Sequence, residues 1–401
     1  MSSLKPKEII LFVPGTSGVE LRDVETGAVS WGRVSYLLGV RDYHRQMLPF
    51  HGGMTDWTTC GEVFDRIWVS RRLGLGIPFY EHTFRVLREK AGRTQGHWSA
   101  ITREADFYPW PYDWRKSLVE TAQQLDAFVE RLLEFHQDPD LKITLICHSH
   151  GCLGARHWWA YGARDVRDSD DIPAPDFPRR RNLGRLILVG APNTGTLKVV
   201  FDMTRGITVL GVGRRYAADF LFSMPPLYES MPFDSAGRFI GPGDEPVEVR
   251  LFDPGEWFRR RLGVFTRHPR LLEDERVRAF FERTLPRARR FQEALRQPWP
   301  DEMVDRVHVV ASGTYQTLRR LRLTPCGIDD TGSRRHVSRQ RWRAGMESNP
   351  WIERGDWFAP YESLVGIAHR PGHRHDVDCI HRHLFSDPKS QAAILRAISG
   401  G

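Results

Sequence analysis

A serine between two histidines stands where an apolar run gives way to a helical pattern. Residues 141–159 read LKITLICHSHGCLGARHWW, which predicts a buried strand followed at once by a helix. A serine hydroxyl becomes nucleophilic when a base removes its proton, and it must stand clear of the backbone to reach a carbonyl carbon. A sharp strand-turn-helix corner exposes the hydroxyl beside helix N–H groups that can stabilise an oxyanion. Ser149 is therefore the candidate nucleophile.

The residues around this serine have the small size that such a corner needs. The corner crowds the positions two before and two after the nucleophile, which are Cys147 and Gly151 here. The usual pattern has glycine at both positions, and the small cysteine side chain is a tolerable departure. A corner with a purely structural serine is the alternative.

A glycine-rich loop after the first apolar run offers a second oxyanion donor. In VPGTSGVEL, residues 13–21, Gly15 and Gly18 flank Thr16 and Ser17, and the Thr16 backbone N–H is our candidate. The alternatives are a plain turn or a phosphate-binding loop, but the Lys-Ser/Thr pair of a P-loop is absent.

The elements that must position these residues follow from hydrophobic periodicity. Apolar runs predict strands, and the spacing of apolar residues from Leu118 predicts an amphipathic helix; the runs cover residues 8–13, 142–147, 183–190 and 307–312. Strands that alternate with helices predict an α/β fold, a mainly parallel sheet with helices on both faces.

The chain divides into three segments by composition. Residues 1–192 form the first part of the core, including a lid-like segment of about 22–79 that is rich in Trp, Tyr and Gly. Residues 193–300 interrupt the strand-helix rhythm with Pro-rich turns, short helices and many arginines, which indicates an inserted cap. Residues 301–401 form the second part of the core.

Six segments of the chain stand in an order, and at rough separations, that are typical of one family: VPGTSGVELRDVETGAVSWG, YPWPYDWRKSL, CHSHGCLGARHW, APNTGTLKVV, PPLYESMP and GDWFAPYESL. Together they resemble the lecithin:cholesterol acyltransferase-like α/β-hydrolases, and the chain looks like a bacterial-type member. That group includes lysosomal phospholipase A2 and the phospholipid:diacylglycerol acyltransferases. The resemblance implies an α/β-hydrolase fold with a cap and a serine-dependent lipid acyl-ester hydrolase or O-acyltransferase.

The resemblance also implies roles for individual residues. Ser149 matches the nucleophile, and Thr16 and His150 match the positions whose backbone N–H groups form the oxyanion hole. The family acid lies in a stretch that GDWFAPYESL resembles, so Asp356 matches the acid. Trp357-Phe358 stands where the family has Gly-Thr.

The base must follow the acid in the chain order of this fold. Several tail histidines satisfy that order, and His381, Leu384 and Asp387 fit the family's His-x-x-Leu-x-x-Asp pattern before a final helix from Pro388. We predict His381 as the base, with His383 and then His375 as alternatives.

Two other classes of protein compete with this prediction. The tail is rich enough in nitrogen, oxygen and sulfur ligands for zinc, although no standard ligand spacing occurs among His373, His375, Asp376, Asp378, Cys379, His381 and His383. The departures at Cys147 and Trp357-Phe358 also allow a catalytically silent binding module for anionic partners. Our prediction includes no cofactor and no metal.

Composition narrows the partners and the compartment. The net charge of +8 comes mostly from arginine clusters, which without interleaved aromatic residues indicate a solvated surface rather than a nucleic-acid site. No run of about 18 apolar residues or secretory signal is seen, and five scattered cysteines favour a reducing, cytoplasmic location.

Aromatic residues in the lid-like and cap segments suggest where the substrate lies. Trp31, Trp57 and residues 220–222 could line an acyl-chain site, make transient contact with a membrane surface, or form the cap's own core. Asp113 and Arg115 in YDWR are expected to pair structurally rather than to react. The expected partner is a lipid or other acyl-ester substrate.

Overall fold

A six-stranded parallel sheet lies at the centre of the protein. The computed structural model describes residues 6–32, 43–70, 75–169, 171–208, 215–329 and 339–399. The spatial order of the strands is β6-β5-β4-β3-β1-β2, and every neighbouring pair is parallel. All four predicted strands are confirmed, and two short strands at the sheet edges, β2 and β6, were not predicted. The strands are β1 Glu8–Val13, β2 Phe107–Pro109, β3 Lys142–His148, β4 Leu183–Val189, β5 Val307–Ser312 and β6 Arg374–Val377.

Helices cover both faces of this sheet. Ile10 and Phe12 of β1 belong to one buried cluster with α1 and α11, whereas Ile9 and Leu11 belong to another with α2 and α3. Because side chains alternate along a strand, they pack into two cores, one on each face of the sheet. The predicted α/β-hydrolase fold is confirmed. The helices are α1 Glu81–Glu89, α2 Leu118–His136, α3 His150–Tyr161, α4 Lys198–Arg205, α5 Ala218–Leu221, α6 Pro225–Glu229, α7 Pro254–Arg260, α8 Glu275–Leu295, α9 Asp301–Val304, α10 Tyr361–Leu364 and α11 Pro388–Ser399.

Smaller antiparallel units surround the central sheet. The segment of about 22–79 contributes to a three-stranded sheet and a hairpin, and a separate two-stranded ribbon precedes Asp356. Short 3-10 helices span Tyr43–Gln46, Gly263–Thr266, Pro269–Glu273, Met346–Ser348, Pro371–His373 and His381–His383. The accessory strands are Val19–Asp23, Val29–Trp31, Thr58–Val63, Arg66–Ser70, Leu75–Pro78, Ile207–Thr208, Arg215–Tyr216, Phe239–Ile240, Pro246–Val247, Tyr315–Leu318, Leu321–Thr324, Gly327–Ile328 and Ile352–Gly355.

Residues 193–300 are tied to the core through a buried carboxylate. Glu229, at the end of α6, accepts hydrogen bonds from the Ser117 hydroxyl (2.5 Å) and the Leu118 backbone N–H (2.7 Å) at the start of α2. An anion is favoured at this helix end because its first N–H groups have no intrahelical acceptor. Residues 193–300 contain the predicted short helices and also one long helix, α8, of 21 residues. Within the described ranges, no helix is long and apolar enough to cross a membrane.

A buried arginine joins the lid-like segment to the sheet. The Arg115 guanidinium is fully buried and donates to both carboxylate oxygens of Asp113, at 2.9 and 2.6 Å. It also donates to Asp56 (3.1 Å) and to the backbone carbonyls of Gln46 and Thr58. The predicted structural pairing of Asp113 with Arg115 is confirmed, and it fixes residues 46–58 beside the end of β2.

Removing this carboxylate is expected to destabilise the fold. In Asp113→Ala the buried guanidinium keeps Asp56 but loses its bidentate partner, so the free energy of unfolding should fall by about 3 kcal/mol. Urea denaturation followed by circular dichroism measures the change. The exposed Asp171→Ala is the matched control, and a loss below about 1 kcal/mol in Asp113→Ala would contradict the structural role.

Candidate active site

Ser149 occupies a sharp corner between β3 and α3. Its backbone has φ +51° and ψ −128°, a conformation that side-chain-bearing residues seldom adopt. Its N–H donates to the Val189 carbonyl of β4 (3.1 Å), so the neighbouring strand holds the corner in place. Such local strain persists only where the surrounding structure imposes it, and it is concentrated at functional sites.

The loop after β1 packs directly against this corner. A Cβ added to Gly151 would lie 2.2 Å from the Pro14 carbonyl oxygen, and one added to Gly15 would lie 3.0 Å from the Ser149 Cβ. Only glycine fits at 151, as the spacing in the sequence predicts. Cys147 is fully buried, and this burial raises the pKa of its thiol well above the ordinary value. It is accommodated at the end of β3 as a small, neutral side chain.

The structure brings Ser149, His381 and Asp356 into one hydrogen-bonded chain. The Ser149 hydroxyl lies 2.9 Å from Nε2 of His381, and Nδ1 of His381 lies 2.5 Å from Oδ2 of Asp356. Because a carboxylate can only accept, Nδ1 carries the proton and Nε2 is the acceptor for the serine hydroxyl. This is the arrangement that a serine nucleophile and its base require.

The two alternative histidines lie elsewhere. His383 is exposed and pairs with the neighbouring Arg382, at 3.1 Å between Arg382 Nε and His383 Nε2. His375 lies on β6 at the sheet edge, near the His308 ring. Within the described part of the chain, neither forms a hydrogen bond with Ser149 or Asp356.

Backbone amides hold the Asp356 carboxylate. Asp356 is fully buried, and its Oδ1 accepts the N–H groups of Phe358 (3.0 Å) and Ala359 (2.8 Å). These bonds leave Oδ2 for His381, whose backbone N–H also donates to the Asp356 carbonyl (2.9 Å). Trp357 has φ +79°, a value that favours glycine, and it stands where the resembled family has glycine. The departure from that pattern therefore keeps a turn backbone suited to glycine.

The sequence interpretation missed the residue that makes room for the His381 ring. Gly190 follows β4 with φ +65°, and an added Cβ would lie 3.1 Å from the His381 ring and 2.6 Å from Leu384. The rings of Phe358 and His148 lie on this imidazole, with centroid distances of 4.6 and 5.2 Å. A glycine directly after a buried strand, as in LILVG, was the available signal.

The candidate oxyanion loop is a tight turn. The Gly18 N–H donates to the Gly15 carbonyl (3.0 Å), and the Gly15 N–H donates to the Tyr80 hydroxyl (3.1 Å). Tyr80 also lies 2.7 Å from Nδ1 of His148, and burial lowers the pKa of His148 well below its ordinary value. Tyr80 was not identified from the sequence, because no motif connects it with the serine 69 residues later.

The Thr16 and His150 backbone N–H groups lie on the two sides of the contact between the loop after β1 and the Ser149 corner. His150 is the first residue of α3, and Thr16 lies inside the turn. Among the described residues, the structure shows no acceptor for either N–H. Both residues line the same cavity as Ser149.

Ser149 opens into a mostly apolar cavity of about 210 Å³. Its walls come from the lid-like segment (Trp31 and Phe79), from Trp114 after β2, and from residues 193–300, namely Val199, Ile207, Phe220, Leu221, Met224 and Leu227. Of the predicted lining residues, Trp31, Phe220 and Leu221 are in the wall. Trp57 instead packs under the Arg45 guanidinium, and Phe222 packs against Phe280 and Phe281.

One ion pair interrupts the apolar wall. Asp202 of α4 lines the cavity and accepts a hydrogen bond from the Lys198 ammonium (2.5 Å). Burial raises the pKa of Asp202, although the Lys198 charge acts in the opposite direction. In the described ranges, no group of three or more His, Cys, Asp or Glu side chains is placed to hold a metal ion. The zinc hypothesis therefore has no ligand set in that part of the chain.

Comparison with known proteins supports the fold. The sequence matches no protein-family model and no curated protein. Among solved structures, the Tle4-Tli4 complex contains a chain that superimposes with a TM-score of 0.58, at 14% identity and over 98% of both chains. A product of the gene lin2722 from Listeria innocua aligns over 98% of this chain and 94% of its own, at 10% identity and a TM-score of 0.35. The first similarity shows a shared fold, and the acyltransferase-like family remains a resemblance.

Filling the space between the corner and the loop is expected to disrupt both. In Gly151→Ala the new methyl group must displace the Pro14 carbonyl, so the free energy of unfolding should fall by about 3 kcal/mol. Urea denaturation measures the loss. Gly52→Ala, where an added Cβ meets open space, is the control and should change stability by less than about 1 kcal/mol. Equal stability of the two variants would contradict the close approach.

Proposed function

We propose that the protein is a serine-dependent hydrolase or O-acyltransferase that acts on lipid acyl esters through an acyl-enzyme. The observation that carries this proposal is the chain of hydrogen bonds from Ser149 through His381 to Asp356, which opens into an apolar cavity. In this proposal the nucleophile is Ser149, the base His381 and the acid Asp356. The shared fold supports this assignment.

The proposed reaction begins at the serine. Nε2 of His381 accepts the hydroxyl proton as the Ser149 oxygen attacks the ester carbonyl carbon. Asp356 accepts the Nδ1 hydrogen bond throughout and stabilises the imidazolium. The carbonyl oxygen, now an oxyanion, receives hydrogen bonds from the Thr16 and His150 backbone N–H groups.

The second half of the reaction releases the alcohol and then the acyl group. The C–O bond breaks, and the Nε2 proton passes to the departing alkoxide, which leaves the acyl group on Ser149. Nε2 then takes a proton from water or from an acceptor alcohol, whose oxygen attacks the acyl carbon. The same proton returns to the Ser149 oxygen as the new acid or ester leaves.

The apolar lining of the cavity supports a lipid ester as the substrate. Its aliphatic and aromatic walls match an acyl chain, whose burial is favourable by about 0.8 kcal/mol per methylene group. Asp202, which accepts a hydrogen bond from Lys198, provides a polar point in the wall for a head group or an acceptor alcohol.

The alternative of a silent binding module for anionic partners receives less support. Several arginines of the basic clusters already pair with carboxylates, such as Arg179 with Asp126 (2.9 Å) and Arg260 with Glu256 (2.7 Å). The two departures that motivated it, Cys147 and Trp357, are both accommodated by the local backbone.

Labelling with a fluorophosphonate probe tests the reactive serine. Wild-type protein should be labelled stoichiometrically at Ser149, since the probe reacts well only with a serine that has a base and an oxyanion hole. Ser149→Ala should not react, and His381→Ala and Asp356→Asn should react about 10³–10⁴-fold more slowly. Mass spectrometry of the modified peptide identifies the site.

The matched control is His383→Ala, which removes an exposed histidine two residues from the proposed base and should retain the wild-type rate. Absence of labelling in well-folded wild-type protein would contradict the proposed function and favour the silent binding module. Equal loss in His381→Ala and His383→Ala would contradict the assignment of the base.

A series of p-nitrophenyl esters tests the acyl-chain cavity. For wild type, kcat/KM should rise about fourfold for each added methylene until the cavity is filled. Leu227→Trp narrows the cavity and should move the chain length with the highest kcat/KM to shorter esters. Its kcat/KM for the acetate ester should stay within about threefold of wild type. Val24→Trp, at an exposed site outside the cavity, is the control. An unchanged optimum in Leu227→Trp would show that the acyl chain binds elsewhere.

A further inference from the structure

The side chains of Thr16 and His150 contact each other beside Ser149. Thr16 Oγ1 and His150 Nδ1 lie 2.5 Å apart, although the two residues are 134 positions apart in the sequence. The His150 imidazole is 2% exposed, and its other ring nitrogen, Nε2, is buried without a hydrogen-bond partner among the described residues. The proposed oxyanion donors are thus connected through their side chains as well as placed by their backbones.

The His150 ring is neutral in this environment. Burial lowers its pKa to about 3, and the nearby His381 acts in the same direction. A neutral imidazole carries a single N–H, which can be on Nδ1 or on Nε2. Buried N–H donors are seldom left unpaired, whereas unpaired acceptors are tolerated more often. The proton therefore belongs on Nδ1, where it donates to the Thr16 hydroxyl oxygen.

This assignment leaves the Thr16 hydroxyl with its own hydrogen still to donate. Within the described residues the structure shows no other partner for Oγ1, and Thr16 lines the cavity into which Ser149 opens. A hydroxyl that accepts one hydrogen bond from a fixed imidazole has lost much of its rotational freedom. Donors ordered before the reaction stabilise developing charge without a reorganisation cost at the transition state.

We propose that the Thr16 hydroxyl is a third oxyanion donor and that the His150 imidazole is the positioning residue that directs it. The inference rests on the proposed function, since an oxyanion forms only if Ser149 attacks an acyl group. It adds a side-chain donor to the two backbone N–H groups and gives the His150 side chain a role separate from that of its backbone.

The first test compares Thr16 variants with p-nitrophenyl butyrate as the substrate. Thr16→Val replaces the hydroxyl by a methyl group of similar size and should lower kcat about 100-fold with KM nearly unchanged, because the lost bond is made only in the transition state. Thr16→Ser keeps a hydroxyl and should recover to within about fivefold of wild type. Thr102→Val, at an exposed threonine, is the matched control. A kcat for Thr16→Val within about twofold of wild type would overturn the proposal.

The second test asks whether His150 acts through Thr16. His150→Phe removes the Nδ1 donor and should lower kcat about tenfold, whereas His150→Asn presents an amide N–H near the same place and should recover most of it. In the Thr16→Val background, His150→Phe should cause no further loss, because the hydroxyl that it directs is gone. If His150→Phe lowered kcat by the same factor in wild type and in Thr16→Val, the positioning role would be overturned. Thermal denaturation of each variant identifies losses that come from misfolding.

The outcomes separate this inference from the proposed function. If wild-type turnover disappears in Ser149→Ala while Thr16→Val keeps the wild-type kcat, the esterase proposal stands and the third donor is excluded. If wild type shows no turnover that depends on Ser149, both proposals fail together.

Discussion

The close approach of the Pro14 carbonyl to Gly151 is the constraint on which the rest of the site depends. β1 and β3 are neighbours in the sheet, with Val13 opposite Cys147. The loop after β1 and the Ser149 corner after β3 therefore lie side by side. No side chain fits between them at 151. The contact that excludes a side chain also brings the Thr16 turn beside the first residue of α3. The unusual backbone of Ser149 is held there by the hydrogen bond to Val189 on the next strand.

Asp356 and His381, the proposed acid and base, come from the far part of the chain, and each is held in place by a different kind of interaction. Asp356 is fully buried, and such a carboxylate is tolerable only when hydrogen bonds compensate for lost hydration. Two backbone N–H groups and the His381 imidazole supply them. His381 in turn fits only because Gly190 has no side chain. The absence of a side chain at Gly151 and at Gly190 therefore makes room on the two sides of Ser149.

The sequence predicts the parts of the fold that are long and apolar. The four long strands and the helix from Leu118 follow from periodicity, because each buries a continuous apolar run or stripe. The helix after Ser149 follows from the strand-turn-helix corner, and the helix from Pro388 from the resemblance to a family. β2 is missed because it has three residues and ends in proline, and β6 because its Arg374 and Asp376 read as surface residues. Both lie at the edges of the sheet; β2 is apolar but too short for its periodicity to show, and only Val377 of β6 is buried.

Some residues of the candidate site can also be predicted from the sequence, and others cannot. Ser149 can be predicted from local spacing, because the corner requires small residues at positions 147 and 151. Asp356 and His381 could be located only through the resemblance to a family, since no local rule connects residues from separate loops. Tyr80 and the contact between Thr16 and His150 leave no trace in the sequence, because they arise from tertiary packing alone.

Asp356 follows a ribbon that stands apart from the central sheet. Its strand, Ile352–Gly355, pairs antiparallel with Tyr315–Leu318 and contributes nothing to the six parallel strands. Between the two ribbon strands, Leu321–Thr324 pairs with Phe239–Ile240 of residues 193–300 and not with the central sheet. The chain length between the ribbon strands is therefore independent of the register of the six parallel strands. A change of length between the ribbon strands moves Asp356 along the sequence while the residues around Ser149 keep their spacing, so an alignment anchored only on the serine would misplace this carboxylate.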